Sequence, residues 1–233
     1  MIGSLINAVA ILLGGGVGLL LKNRISQTVS KTVTQAVGLC VAVIGIYGAV
    51  KGDFMLMIVS LALGALVGSA LKIEDRLESF GNFLQAKFST KEEEETGEEG
   101  SNFAKGFITA TLLFCVGAMA IVGALESGLI GNRSILYTKT VLDGISAMIL
   151  ASTLGWGVLL SVVPLLIYQG GIELLSGLLQ GVLTENLIVQ ISAVGSVMVF
   201  GIGINLILGS KIKTANFLPC LLVSVGYYFL FLK

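Results

Sequence analysis

Long apolar runs alternate with short polar breaks along almost the whole chain. The runs fall at Met1–Leu21, Val33–Val50, Phe54–Leu71, Phe103–Leu125, Tyr137–Leu160, Ser161–Leu183, Leu187–Gly209 and Ala215–Leu232. Each approaches the roughly 20 residues an α-helix needs to cross a hydrocarbon core. The pattern predicts an all-α, polytopic transmembrane bundle of about eight spans, forming a single domain over residues 1–233. Pro164 marks a break near the start of the sixth run. If that segment is re-entrant, the count falls to seven.

One polar segment interrupts the series, Ile73–Asn102. Its first half spaces Ile73, Leu77, Phe80, Phe83, Leu84 and Phe88 helically among charges, the pattern of a helix lying on a membrane surface. The second half contains the acidic run Lys91–Gly100, which has no apolar anchor and reads as a solvated, mobile loop.

Polar residues inside the apolar runs carry the candidate chemistry. Gln169, Glu173, Ser176 and Gln180 lie within about 60° of one another on a helix, a polar stripe that cannot face lipid. Asp143 lies six residues into its run, towards one end, while Glu173 is placed near mid-membrane. Ionisable groups inside a span are costly, at about 2.5–3.5 kcal/mol on insertion scales, and mark functional paths by default. For Asp143 the competing reading is a helix N-cap, with Lys139 four residues earlier as an ion-pair partner. For Glu173 it is a structural hydrogen-bond network between helices. Asn7 and Asn205 are lone amides in glycine-rich helices and rank as secondary candidates beside Lys139. Asn7 shares a face with Gly14 and Gly18, which favours helix packing.

Lysine and arginine set the orientation. Lys22, Arg24, Lys31, Lys72, Arg76, Lys87, Lys91, Lys105, Lys211 and Lys213 fall on one side of an eight-span arrangement. Lys51, Arg133, Lys139 and Lys233 fall on the other. Ten against four puts the loop inside and both termini outside. The first run has its positive charges after it rather than before, so it reads as a retained span and not a cleaved signal.

Composition narrows the function classes. Hydrophobic residues make up 55% of the 233 and charged residues 12%, too few charges for an ordinary soluble domain. Net charge is zero, so no basic face points to nucleic acid. Histidine is absent, which removes imidazole general bases and the usual zinc sites. Cys40, Cys115 and Cys220 sit singly in apolar runs and read as buried small hydrophobes, neither disulfides nor metal ligands. No cofactor, metal or enzymatic activity is expected. The expected partners are the lipid bilayer, a small solute or ion, and further copies of the chain in a homo-oligomer.

Ser4–Leu21 aligns with Asp143–Leu160, and Ala36-Val37-Gly38 recurs as Ala193-Val194-Gly195. The offsets differ, so a duplication would need a spacer of about one helix in the second half, and chance likeness between glycine-rich helices competes with it. Several motifs carry a family resemblance: Gly3-Ser4-Leu5-Ile6-Asn7-Ala8, Phe114-Cys115-Val116-Gly117-Ala118-Met119-Ala120-Ile121-Val122-Gly123, Lys139-Thr140-Val141-Leu142-Asp143-Gly144, Gly201-Ile202-Gly203-Ile204-Asn205-Leu206 and Asn216-Phe217-Leu218-Pro219. Over nearly its whole length the chain resembles the YdfK/YqgA-like family of bacterial inner-membrane proteins. The resemblance implies a bacterial multi-span membrane protein and supplies no established activity. From the residues, a transporter or channel for a small solute or ion is the leading expectation, and a non-transporting scaffold the alternative.

Overall fold

The computed structural model describes residues 1–22, 27–77, 79, 83, 99–115, 118–209 and 212–232. The acidic run, apart from its last two residues, lies outside them, as does most of the surface helix expected over Ile73–Phe88, of which Ile73–Leu77 is helical. The elements in chain order are α1 Ile2–Lys22, α2 Gln27–Ala49, α3 Phe54–Ala70, α4 Glu99–Cys115, α5 Ala118–Ile130, α6 Ser134–Leu154, α7 Gly157–Leu160, α8 Val162–Leu174, α9 Ser176–Leu179, α10 Glu185–Leu208, a 3₁₀ turn over Thr214–Phe217, and α11 Pro219–Phe231. The described residues contain no strand, as expected where every backbone group must be satisfied locally.

Six helical segments are long and apolar enough to cross a bilayer. The predicted fourth span is instead a pair of helices bent by 56°, and counted as one crossing it makes a seventh. The remaining predicted span, Phe54–Leu71, is helical over Phe54–Ala70, 17 residues, about 25 Å of helix and slightly short of a hydrocarbon core.

Several boundaries have local causes. Asp53 caps α3, accepting from Leu56 N at 2.8 Å, and Thr184 caps α10, accepting from Leu187 N at 3.3 Å. Gly155 ends α6 at φ +82°, a conformation that strains any other residue. The predicted span to Leu160 therefore stops early, and Trp156 begins a return. Pro164 is the third residue of α8, within the first turn, where its missing N–H removes no helical bond.

That return runs the length of the bundle, and Gly157–Leu174 is long and apolar enough to cross a bilayer. Gly157 packs on Phe103, and Lys22 Nζ lies by Gly155 at one end of the bundle. At the other end Glu173 meets Met1 and Ser4. The Pro164 region thus runs from one end of the bundle to the other and does not turn back midway.

Three helix pairs form the frame. α1 and α6 run parallel: Gly3 faces Leu136, Gly14 faces Gly144 and Gly18 faces Met148. α2 and α10 run antiparallel, with Gly38 against Gly203, Gly45 against Phe200 and Gly52 against Ala193. α3 and α11 are also antiparallel, through Gly64 with Cys220, while Gly68 meets Asn216 just before α11. Successive passes thus alternate in direction. The two segment matches seen in the sequence join one parallel and one antiparallel pair. An inserted helix would reverse direction in that way, so no single rotation relates both matches. Ile11, Phe114, Leu150, Leu165, Leu187 and Met198 are fully buried between these pairs. Cys220 is buried as expected, Cys115 is partly buried, and Cys40 is exposed on α2, contrary to the reading of three buried hydrophobes.

Candidate functional site

α1, α5, α6 and α8 bring one polar cluster together at the Met1 end of the bundle. Its upper part surrounds Glu173, the last residue but one of α8. Ser127 Oγ on α5 donates to Glu173 Oε1 at 2.6 Å. Ser4 donates to Oε2 from both Oγ, at 2.7 Å, and backbone N, at 3.3 Å. The Met1 ammonium stands 2.8 Å from Oε1. A carboxylate with this many donors is compensated for burial, and Glu173 is indeed only 4% exposed.

One turn further along α1, Asn7 reaches the second carboxylate. Asn7 Nδ2 donates to Asp143 Oδ2 at 2.8 Å and to Gln169 Oε1 at 3.3 Å. Lys139 Nζ, one turn before Asp143 on α6, also donates to Oδ2. Lys139 and Asp143 are 6% and 7% exposed, so the pair is withdrawn from water. The ammonium also lies 6.0 Å from the centre of the Phe114 ring, in the last turn of α4, just before the chain bends into α5. The ring face favours a cation there.

Two atoms in this layer have no hydrogen-bond partner, Asn7 Oδ1 and Gln169 Nε2. Both residues are 0% exposed. Buried polar atoms are nearly always paired. A free acceptor and a free donor on adjoining amides, beside an ion pair, therefore set this layer apart from the saturated knot at Glu173.

The expected depths are exchanged. Asp143 is the tenth of 21 residues in α6, at mid-helix, and Glu173 is at a helix end. An N-cap role for Asp143 falls away, because α6 begins nine residues earlier at Ser134. The two carboxylates occupy adjacent turns, joined through Ser4 and Asn7 on α1 and Gln169 and Glu173 on α8, and do not stand far apart along a path.

The polar stripe is only partly realised. Gln169, Glu173 and Ser176 are buried in the cluster, with Gly128 of α5 packed against Glu173 and Ser176. The helix breaks at Leu175, and Gln180, at the end of α9, is exposed outside the site. Asn205 is also elsewhere. Its amide clamps the backbone of Ile212, accepting from N at 2.9 Å and donating to O at 2.6 Å, near the opposite end of the bundle. Ser4 and Ser127 are the site residues that sequence reasoning passed over. Serine is common in apolar helices, and neither position breaks a pattern.

Comparison with known proteins gives one family model and two relatives that match over nearly the whole length. Residues 2–229 match a family model described as protein of unknown function (DUF554). The chain is 34% identical over 229 residues to the uncharacterized membrane protein YdfK of Bacillus subtilis (strain 168), covering 96% of this chain and 93% of that one. It is 31% identical over 226 residues to the uncharacterized protein YqgA of Escherichia coli (strain K12), covering 97% and 95%. No solved structure matches.

Proposed function

We propose that this chain, which belongs to the DUF554 family of membrane proteins of unknown function, carries a small ion or solute across the bacterial inner membrane. The observation that supports this reading is the Lys139–Asp143 pair, held at mid-helix and bordered by unpaired polar atoms of Asn7 and Gln169. An ion pair that only stabilised the bundle would be a poor device, since a well-packed apolar pair of similar volume serves as well or better. The bend between α4 and α5 adds support. Discontinuous helices beside mid-membrane polar groups recur in transporters, where irregular backbone lines the binding site. In this conformation the cluster is closed, so carriage involves an opening between α1 and the α5–α8 side. No group with the reactivity of a catalytic nucleophile enters the reading, and no enzymatic role is proposed.

In this proposal the Met1 end faces outward, because the lysines and arginines concentrate at the Lys22 end. Reporter fusions after Leu232 and within the acidic run are expected to report opposite sides.

A second reading, a non-transporting scaffold, is favoured by one observation: Glu173 is saturated by donors and Ser176 is buried beside it, like a dry packing knot. Cysteine scanning separates the two. Under the transport reading, Gln169→Cys reacts with a membrane-impermeant thiol reagent in a Cys40→Ser, Cys115→Ser background, while Ile167→Cys on the lipid face does not. Solute flux in proteoliposomes accompanies it. Equal protection at both positions, with no flux across a panel of ions and solutes, would sink transport.

A further inference from the structure

The geometry points to the substrate class: a small monovalent anion taken up together with one proton at the Lys139–Asp143 pair. This inference rests on the transport reading above.

Charge comes first. The pair is neutral and buried. Glu173 and the Met1 ammonium form a second neutral pair one turn away. A lone cation entering the Asp143 layer would leave an unbalanced positive charge beside Lys139. A lone anion would leave an unbalanced negative charge beside Asp143. Charge without a partner is what a low-dielectric interior tolerates least. An anion that arrives with a proton keeps the layer neutral: the proton goes to Asp143, and the freed Lys139 ammonium holds the anion.

Hydrogen bonding agrees with this assignment. With Asp143 ionised, the Asn7 amide donates through Nδ2 to Oδ2 and its Oδ1 has no partner. Rotating that amide by half a turn brings Oδ1 to the same carboxyl, where it can accept from a protonated Asp143. Asn7 can therefore serve both protonation states of Asp143, with the rotation giving up the longer bond from Nδ2 to Gln169 Oε1 at 3.3 Å. Gln169 Nε2, fully buried and unpaired, is a donor in the same layer, available to an anion held by Lys139. The step balances as A⁻ plus H⁺ from one solution giving a protonated Asp143 and an A⁻–Lys139 ion pair. Release on the far side reverses it. No bond in the anion is made or broken.

The groups that face Asp143 fit this assignment. Lys139 is on its own helix. Cys115 closes α4 next to Phe114, whose ring the Lys139 ammonium approaches. Asn7 and Gln169 do not ionise. Of the other charged side chains on the packed helices, Lys22 ends α1, Lys31 is the fifth residue of α2, Lys105 is the seventh of 17 in α4 and Glu126 is the ninth of 13 in α5, where it accepts from Asn132 at 2.8 Å.

The test uses the full chain in proteoliposomes with the membrane potential clamped. Formate, acetate, nitrate and chloride are supplied outside, and internal pH is read with a trapped dye. An inward proton gradient is expected to drive accumulation of at least one of these anions, with one proton per anion, at a rate unchanged when the clamped potential is varied. Asp143→Asn, which fixes the neutral form, should abolish proton-driven accumulation and make anion binding independent of pH. Lys139→Gln should abolish anion binding. Anion flux without proton movement, or flux only of cations or neutral solutes, would overturn this inference and leave transport standing. If no solute moves, the inference and the transport reading fall together. Asp143→Asn protein that still accumulates anion on a proton gradient would also overturn it.

Discussion

Two glycine seams hold the bundle together, and they differ in what else they contain. In both, backbones approach until a side chain no longer fits. A Cβ at Gly14 would lie 2.1 Å from Gly144 O, and one at Gly45 would lie 2.4 Å from Phe200 N. The α2–α10 seam pairs Gly38, Gly45, Gly48 and Gly52 with Gly203, Phe200, Ser196 and Ala193, and among the described residues no ion pair lies in it. The α1–α6 seam has the same close approach and adds Asn7, Lys139 and Asp143. Close contact therefore does not account for the charges. One seam shows that van der Waals packing of small residues suffices to join these helices. The other carries polar groups that packing does not call for, which is the physical reason to look there for function.

The largest expected effect removes the shared feature. Gly14→Leu and Gly45→Leu each drive a side chain into backbone atoms that cannot move aside, so each should exceed the roughly 1–3 kcal/mol of ordinary overpacking. Neither variant should yield monodisperse protein by detergent size-exclusion chromatography. Gly16→Leu is the control, since a Cβ there meets nothing within 4 Å, and it should elute as wild type. If Gly14→Leu were tolerated and Gly45→Leu were not, the α1–α6 seam would be looser than its geometry states.

A smaller effect separates the seams. Lys139→Met leaves Asp143 buried without its cation and should cost about 3–5 kcal/mol. The double variant Lys139→Met, Asp143→Leu removes both charges and should recover most of that loss. Ser196→Ala in the other seam removes only a bond to its own helix, Ser192 O at 2.7 Å, and should change stability by less than about 1 kcal/mol. Thermal unfolding in detergent measures all three. A double variant as stable as wild type yet inactive in flux would show that the pair is kept for its chemistry.

Much of this contrast could be read from the sequence, but not its depth. Hydropathy located the helical segments, six of them long and apolar enough to cross a bilayer and a seventh as a bent pair, because lipid leaves a spanning backbone little choice but helix. It could not place the breaks. Gly155 lies in an unbroken apolar run, and its positive φ is a property of the fold. Leu175 carries no breaking signal at all. Those two stops shorten α6 and α8 and exchange the depths of Asp143 and Glu173. The i, i+4 spacing of Lys139 and Asp143 was plain in the sequence. That Asn7, Ser4 and Ser127 complete the layer depends on which helices meet, and single-chain periodicity does not encode it.

The smallest expected effect lies at the opposite end, where an ion pair is exposed. Lys213 Nζ donates to Asp75 Oδ1 at 2.6 Å, with both side chains about half open to solvent. The hydrogen bond from Lys213, helped by its charge and that of Lys72, holds the Asp75 carboxyl below its ordinary value of 3.8. A lowered carboxyl pKa stabilises the fold fully above the ordinary value and loses that contribution as pH falls through the lowered one. Lys213→Gln should therefore differ from wild type by a small, constant amount between about pH 5 and 8. The two melting curves should converge only as pH falls through the lowered pKa, below 3.8. In about 1 M salt, where the screening length is near 3 Å, the difference should vanish at every pH. The buried pair predicts the opposite. The deficit of Lys139→Met in stability should persist in the same salt, because mobile ions do not reach Asp143. Equal salt sensitivity of the two variants would mean that water and ions enter the α1–α6 layer in the resting conformation, and that the site stands open rather than closed.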